Sequence, residues 1–459
     1  MSIDPKASDR RAFLRRAGQL GVAGVAAPWA INLASMSEAA AFTASDYKAL
    51  VCVFLYGGND YGNTVVPYDA TNYAKYAAIR TGIATSRASL AATALTPTVA
   101  LPNGQQLALA PEMTALKSLF DAGKLAVQLN VGPLIQPTTL AQYNAKSVPL
   151  PPKLFSHNDQ QSTWQASSPE GAVNGWGGRL GDMAMSNNGS ATFSCISVSG
   201  NAVFVAGRNA LQYQLSTSGA VPIAGIKSAA FGSTAISTAM QSLSTQTSSH
   251  VLMNEYSRII QRSIASESAV SAALTGVAPF SVAFPTGNSL ATQLQVVAKM
   301  IAARNVLGVK RQVFFVSLGG FDLHDYLPSQ HPPLLTNISN AMAAFYNATV
   351  ELGVQNSVTA FTASDFGRTF ASNGDGSDHG WGSHHFVLGG AVNGQRFYGT
   401  APAPAVNGTE DVGQGRLLPT TSVDQFAATL ATWFGVSASE LLTVIPNIGN
   451  YSTKNLGFV

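Results

Sequence analysis

Apolar residues recur along the chain in two kinds of pattern. Short uninterrupted runs rich in Val, Phe, Leu or Thr end in Gly or Asp: "ALVCVFLYGGND" closes at Asp60, "QVFFVSLGGFD" at Asp322, and "SVTAFTASDFG" reaches Asp365. "KLAVQLNVG" and "HHFVLGGAV" have the same character. Apolar runs of this length, bounded by turn residues and without polar alternation, predict strands buried on both faces. Between them lie longer, helix-like stretches: "PEMTALKSLFDAG", "NGWGGRLGDMAMS", "NSLATQLQVVAKMIAARNVLG" and "NISNAMAAFYNATVELG". The first and last close on Gly, a normal helix stop. Strands alternating with helices predict an α/β fold with a mostly parallel sheet covered on both faces. In such sheets ligands bind beyond the carboxyl ends of the strands, the edge where Asp60, Asp322 and Asp365 fall.

Two segments break the alternation. Gln212–Ser249 is dominated by Ser, Thr, Ala and Gly with almost no charge, and it reads as surface elaboration or part of a cap around 200–285. Ile83–Ala110 is a similar excursion. The N-terminus, "DRRAFLRRAGQLGVAGVAAPWAINLASMSEAAAF", sets paired arginines before a weakly apolar, Ala/Gly-rich run and a small-residue stretch at Ala39–Ala41. That is the layout of a twin-arginine export signal over residues 1–41, leaving 42–459 as the mature domain in the periplasm or outside the cell. No later segment has about 20 uninterrupted apolar residues, so no membrane span is expected after cleavage.

Composition narrows the classes. With 46% hydrophobic and 11% charged residues the chain can bury a sizeable core. The formal net charge is +3, of which the first 41 residues contribute +2, leaving no basic stripe for nucleic acid. Only two cysteines are present, and Cys52 lies inside a strand-like run, so two buried thiols are expected and a thiolate zinc site is excluded.

The chemistry gathers in four motifs. "GGND" carries Asp60 just past a strand, and "LFSHNDQQSTWQ" sets Ser156 before His157 at a helix start. "GGFDLHD" offers Asp322 and His324 two residues apart. "SDFGRTFASNGDGSDHGWGSHH" supplies Asp365, Arg368, His379, His384 and His385. Carboxylates and imidazoles on several loops are what a metal-dependent hydrolytic site needs. A hydroxyl at a helix N-terminus suits attack on an anion, although on its own motif Ser156 reads first as a helix cap. Arg368 is the candidate to grip the anion through its forked guanidinium. The "GDGSDHG" portion lacks the spacing and final Glu of an EF-hand. The last stretch reads as two arms. "SDFGR" ends a strand, and "DHGWGSHH" returns imidazoles to the site before the next strand begins at Phe386.

These motifs, together with "VFLYGGNDYGNTVVPY" and "GQRFYG", resemble the twin-arginine-exported bacterial family designated domain of unknown function 1501, within the alkaline phosphatase-like superfamily. The resemblance spans nearly the whole mature chain and implies a three-layer α/β/α sandwich with divalent metals at the carboxyl end of the sheet. It implies Asp60 as the first-strand metal ligand, Ser156 as nucleophile, and Asp322 and His324 as the Asp…His pair of one metal. Asp365 stands at the superfamily's Asp-His, with Phe366 replacing the histidine. The remaining imidazoles then come from His379, His384 or His385, around a single metal or a reorganised pair. The expected metal is zinc, with magnesium, manganese or calcium as alternatives. The expected substrate is a phosphate or related anionic ester. No Cys or Ser lies in the C/S-x-P-x-R context of a classical sulfatase. The alternative is a non-enzymatic exported protein that retains the fold and binds another exported or surface protein while assembling an extracellular polymer or filament.

Overall fold

The computed structural model describes residues 44–459; the export signal assigned to residues 1–41 lies outside the described residues. The first strands are β1 (Lys48–Leu55), β2 (Val65–Pro67), β3 (Leu107–Leu109), β4 (Leu125–Gly132), β5 (Cys195–Ser197) and β6 (Tyr213–Ser216). They are followed by β7 (Gly219–Ala220), β8 (Arg311–Leu318), β9 (Val358–Ser364), β10 (Ser383–Gly389), β11 (Arg396–Tyr398) and β12 (Thr421–Ser422). Among the described residues, ten of these strands form one sheet in the order β11-β4-β10-β9-β1-β8-β5-β6-β7, with β12 beside β4; β2 and β3 pair separately. β10 and β7 run against their neighbours, and every other pairing in the sheet is parallel.

The central strands are apolar on both faces because helices cover both. Val51, Val53 and Leu55 of β1 pack with Leu294, Ile301, Ile338 and Met342 from the helices Ser289–Ala302 and Leu327–Glu351. On the opposite face Phe361 of β9 lies 5.6 Å from Trp176 and 5.7 Å from Phe426, on the helices Trp176–Ala184 and Val423–Phe434. Such aromatic pairs add about 1 kcal/mol beyond simple burial. This is the three-layer α/β/α arrangement. Cys52 and Cys195 are both buried and unpaired.

Residues 200–285 extend the sheet edge with β6 and β7 and add the helices Thr234–Thr245 and Val251–Thr275. Apolar side chains face outward there, including Phe231 and Leu252. No described helix is long and apolar enough to cross a membrane. The strand expected to begin at Phe386 instead begins at Ser383. It therefore takes His384 and His385 into the sheet, where successive side chains point to opposite faces.

Candidate metal centre

Strands β9, β1 and β8 are parallel neighbours, with Leu55 in register with both Ser364 and Leu318. Their carboxyl ends therefore open side by side, and the loops that follow bring Gly57, Asp322 and Asp365 together. Gly57 N–H donates to Asp365 Oδ2 at 3.1 Å, and Gly57 has φ +114°. A Cβ at Gly57 would lie 2.4 Å from the Asp322 backbone nitrogen, so only glycine admits this approach.

Three imidazoles converge on the Asp322 carboxylate. His324 Nε2 is 3.1 Å and His379 Nε2 3.2 Å from Oδ1, while His157 Nε2 is 3.4 Å from Oδ2. His157 Nε2 and His379 Nε2 are themselves 3.1 Å apart. Each ring is oriented through its other nitrogen. His379 Nδ1 is 2.8 Å from the Phe155 carbonyl, which can only accept, so Nδ1 carries the proton. His157 Nδ1 meets Asp365 Oδ2 at 2.6 Å, and His324 Nδ1 meets Asp378 Oδ1 at 3.0 Å. In the neutral rings all three Nε2 atoms then present lone pairs to a carboxylate and to one another. A cluster made of acceptors repels itself until a cation or a proton sits among them. Carboxylate or carbonyl partners behind ligating histidines are the usual means of fixing a metal site.

The surrounding charges reinforce this. The Asp365 hydrogen bond raises the His157 pKa, against the opposing effect of burial. Burial lowers the His379 pKa. Partial burial alone would raise the Asp322 carboxyl, but the hydrogen bond and charge of Arg368 outweigh it and hold the group below the usual carboxylate range. Arg368 is almost fully buried; Nη1 donates to Asp322 Oδ1 at 2.5 Å and to the Gly57 carbonyl at 3.2 Å, and Nη2 donates to the Ser377 carbonyl. Its fork thus orients a carboxylate of the protein instead of facing outward to an anion. Asp365 also accepts from Gln161 Nε2 at 2.8 Å, and its Oδ1 is buried with no protein partner. The ring of Phe366 lies 4.8 Å from His157 and 4.7 Å from His379. His157, one helix away, supplies the imidazole beside Asp365.

Asp60, His384 and His385 lie elsewhere. Asp60 is buried, bonded to Arg80 Nη2 at 2.7 Å, accepting from Ser377 Oγ at 2.7 Å and capping Asn63 N–H at 2.9 Å. Both its oxygens are spent inside the fold, which is why it does not reach the imidazoles. His384 Nδ1 accepts from Asn130 N–H at 3.1 Å, and its ring stands 5.0 Å from Tyr61. His385 points to the other face, 4.7 Å from Trp164, with Nδ1 3.1 Å from Thr362 Oγ1. Burial lowers their pKa values to about 4 and about 3. The sheet pleat that carries these two histidines excludes them from the cluster.

Ser156 occupies the N-cap position of the helix His157–Ala166 without capping it. Its hydroxyl donates to the buried Asp159 Oδ2 at 3.0 Å, and Lys153 Nζ approaches the same oxygen at 3.7 Å. Asp159, Asp378 and Gln161 lie within the same sequence motifs, and Asp159, three residues after Ser156 at a helix start, is the one that spacing could have revealed. Arg416, 4.8 Å over the Phe155 ring, had no sequence signal beyond a glycine turn.

The family model for "Protein of unknown function (DUF1501)" matches residues 47–445. The chain belongs to that family. No curated protein matches it. Solved structures that align with this DUF1501 protein include Ps i-CgsB in complex with k-i-k-neocarrahexaose, at 7% identity and TM-score 0.38 over 88% of this chain and 77% of that one. The lipoteichoic acid synthase LtaP from Listeria monocytogenes aligns at 9% identity and TM-score 0.33, over 89% and 77%. A variant of the alkaline phosphatase PafA aligns at 11% identity and TM-score 0.28, over 71% and 64%. Likenesses this low carry no functional inference.

Proposed function

We propose that this protein is an exported metal-dependent hydrolase of phosphate or related anionic esters. The observation that carries the reading is the 3.1 Å approach of His157 Nε2 and His379 Nε2 beside the Asp322 carboxylate, with both Nδ1 atoms already committed. His157, Asp322 and His379 would hold the metal, with His324 next to them. Asp365, Asp378, the Phe155 carbonyl and Arg368 would hold these ligands in place. Imidazoles with one carboxylate favour zinc over magnesium, manganese or calcium, which prefer oxygen ligands. A bound divalent ion supplies Lewis-acid polarisation of the ester and charge stabilisation for the alkoxide.

The chain's own groups account for the remaining work. Ser156 is the nucleophile: its oxygen would bond to the ester's central atom as the bond to the alcohol oxygen breaks. Asp159, which already accepts its hydroxyl proton at 3.0 Å, would take that proton and return it to the leaving alcohol. Water would then cleave the seryl ester to free the anion and the serine. Ser156 stands at the N-cap of the helix His157–Ala166, and the N–H groups of a helix N-terminus favour negative charge. Asp322 leaves the cluster open to solvent, with 45% of its side chain exposed, so an ester can approach from outside.

Metal content by mass spectrometry, with turnover of a generic aryl phosphate, tests this reading. The expected result is at least one tightly held divalent ion and activity lost in Ser156→Ala with metal retained. A metal-free protein, or one whose activity is untouched by Ser156→Ala, overturns it.

A further inference from the structure

With Arg368 committed to Asp322 and Arg80 to Asp60, neither arginine is free to bind substrate. Arg416 differs. It makes no ion pair among the described residues, although it touches both Phe155 and His379. Its Nε donates to the His379 carbonyl at 2.8 Å, and its guanidinium lies 4.8 Å over the ring of Phe155, the residue before Ser156. Nη1 donates weakly to the Gly413 carbonyl at 3.3 Å, and among the described residues Nη2 has no hydrogen-bond partner.

The turn that presents Arg416 is built to hold it. Asp411 accepts from Gly413 N–H at 2.7 Å, Gly415 N–H at 2.8 Å and Asn407 N–H at 2.6 Å. Gly415 has φ +76°, and a Cβ there would meet Phe370 at 2.7 Å. Phe155 itself sits at φ +71°, a costly conformation for an aromatic residue. That turn aims its carbonyl at His379 and its ring at Arg416. An arginine that is half-buried, stacked, fixed through Nε and left without a carboxylate is pre-organised to bind an anion through its outer edge.

We propose that Arg416 is the anion-binding residue of the site, taking the charged oxygens of a phosphate or sulfate group beside Ser156. This rests on the hydrolase reading and names the residue that would hold the anionic group of its ester. The guanidinium would hold the ester's oxygens while Ser156 attacks; no bond to Arg416 forms or breaks.

The test uses the full mature chain loaded with metal and compares wild type, Arg416→Gln and Arg416→Ala. Inorganic phosphate binding is followed by ³¹P line broadening, independently of turnover of an aryl phosphate. The expected result is phosphate affinity weakened about 10- to 100-fold in Arg416→Gln, as for loss of one charge-assisted pair, with KM raised and metal content unchanged. Millimolar guanidinium should restore part of the activity of Arg416→Ala, which a merely structural role would not give. Phosphate bound equally by wild type and Arg416→Gln overturns the assignment and leaves the hydrolase reading standing. Arginine-dependent phosphate binding with no turnover supports the assignment and overturns the reading. Phosphate neither bound nor released by wild type overturns both.

Discussion

His157 and His379 face each other through Nε2 atoms 3.1 Å apart, each with its Nδ1 held by a group that accepts a proton. A shared proton or cation relieves the repulsion of two lone pairs at that distance. A metal there would compete with a proton for one place. Metal content should fall in His157→Ala, His379→Ala and Asp322→Ala. Asp365→Asn, which weakens the group behind His157, should lower affinity by about 10- to 100-fold. Competition against a chromophoric chelator measures this, and unchanged affinity in all four variants excludes the cluster as the site.

Asp60 gives the contrasting result. Its pair with Arg80 is fully buried. Removing one member of a buried ion pair leaves the other uncompensated, at a cost of about 3 kcal/mol or more. Asp60→Asn should lower the chemical-denaturation midpoint substantially while leaving metal stoichiometry intact. Loss of metal without loss of stability would restore Asp60 as a ligand.

Ser156 and Asp159 can be separated by kinetics. Asp159→Asn should reduce kcat by about 10²- to 10⁴-fold as a missing proton acceptor. Ser156→Ala should abolish turnover, and metal content should stay constant in both variants. An Asp159→Asn enzyme with normal kcat across pH would show that the carboxylate only orients the turn.

Gly57 is predicted to tolerate no side chain. Gly57→Ala places a methyl group against the Asp322 backbone and strains a φ of +114°. Metal affinity should drop more than in a substitution on the outer face of the sheet, because Gly57 also bonds Asp365 and Arg368.

Acid sensitivity follows from three histidines outside the cluster. Burial lowers the pKa of His331 and His384 to about 4 and of His385 to about 3. In the unfolded chain each titrates near 6.5. Between those values the unfolded chain binds more protons, so stability is complete above about pH 6.5 and falls as pH drops toward 4. Each contributes up to about 3 kcal/mol to the loss. Melting midpoints of chelator-treated protein from pH 7.5 to 4.5 should fall steeply, and less steeply in His384→Gln.

Much of this was legible in the residues. The runs around Cys52, Phe315 and Phe361 read as strands because helices cover both faces and leave no polar alternation. The Asp at the end of each marked the ligand edge. Sequence could bring His157, Asp322, His324 and His379 into one proposal because each sits on a loop after a strand or at a helix start. It could not separate them from His384 and His385, since a three-residue shift in where β10 starts decides whether an imidazole faces a loop or a sheet interior. Nor could it tell that Arg368 is used internally, because that depends on Asp322 lying 46 positions away in sequence yet within bonding distance. Arg416 reaches the site through the turn at Asp411, for which spacing gives no cue.

Phe366 has one last consequence. With an aromatic ring where an imidazole is expected, the ring beside Asp365 comes from His157, which follows the candidate nucleophile by a single peptide bond. Consecutive Cα atoms are about 3.8 Å apart and cannot separate. The distance between the Ser156 oxygen and the His157 ring is therefore limited by covalent connection as well as by packing. Breathing of the helix start would carry both together, sparing their relative alignment while changing their joint approach to Asp322.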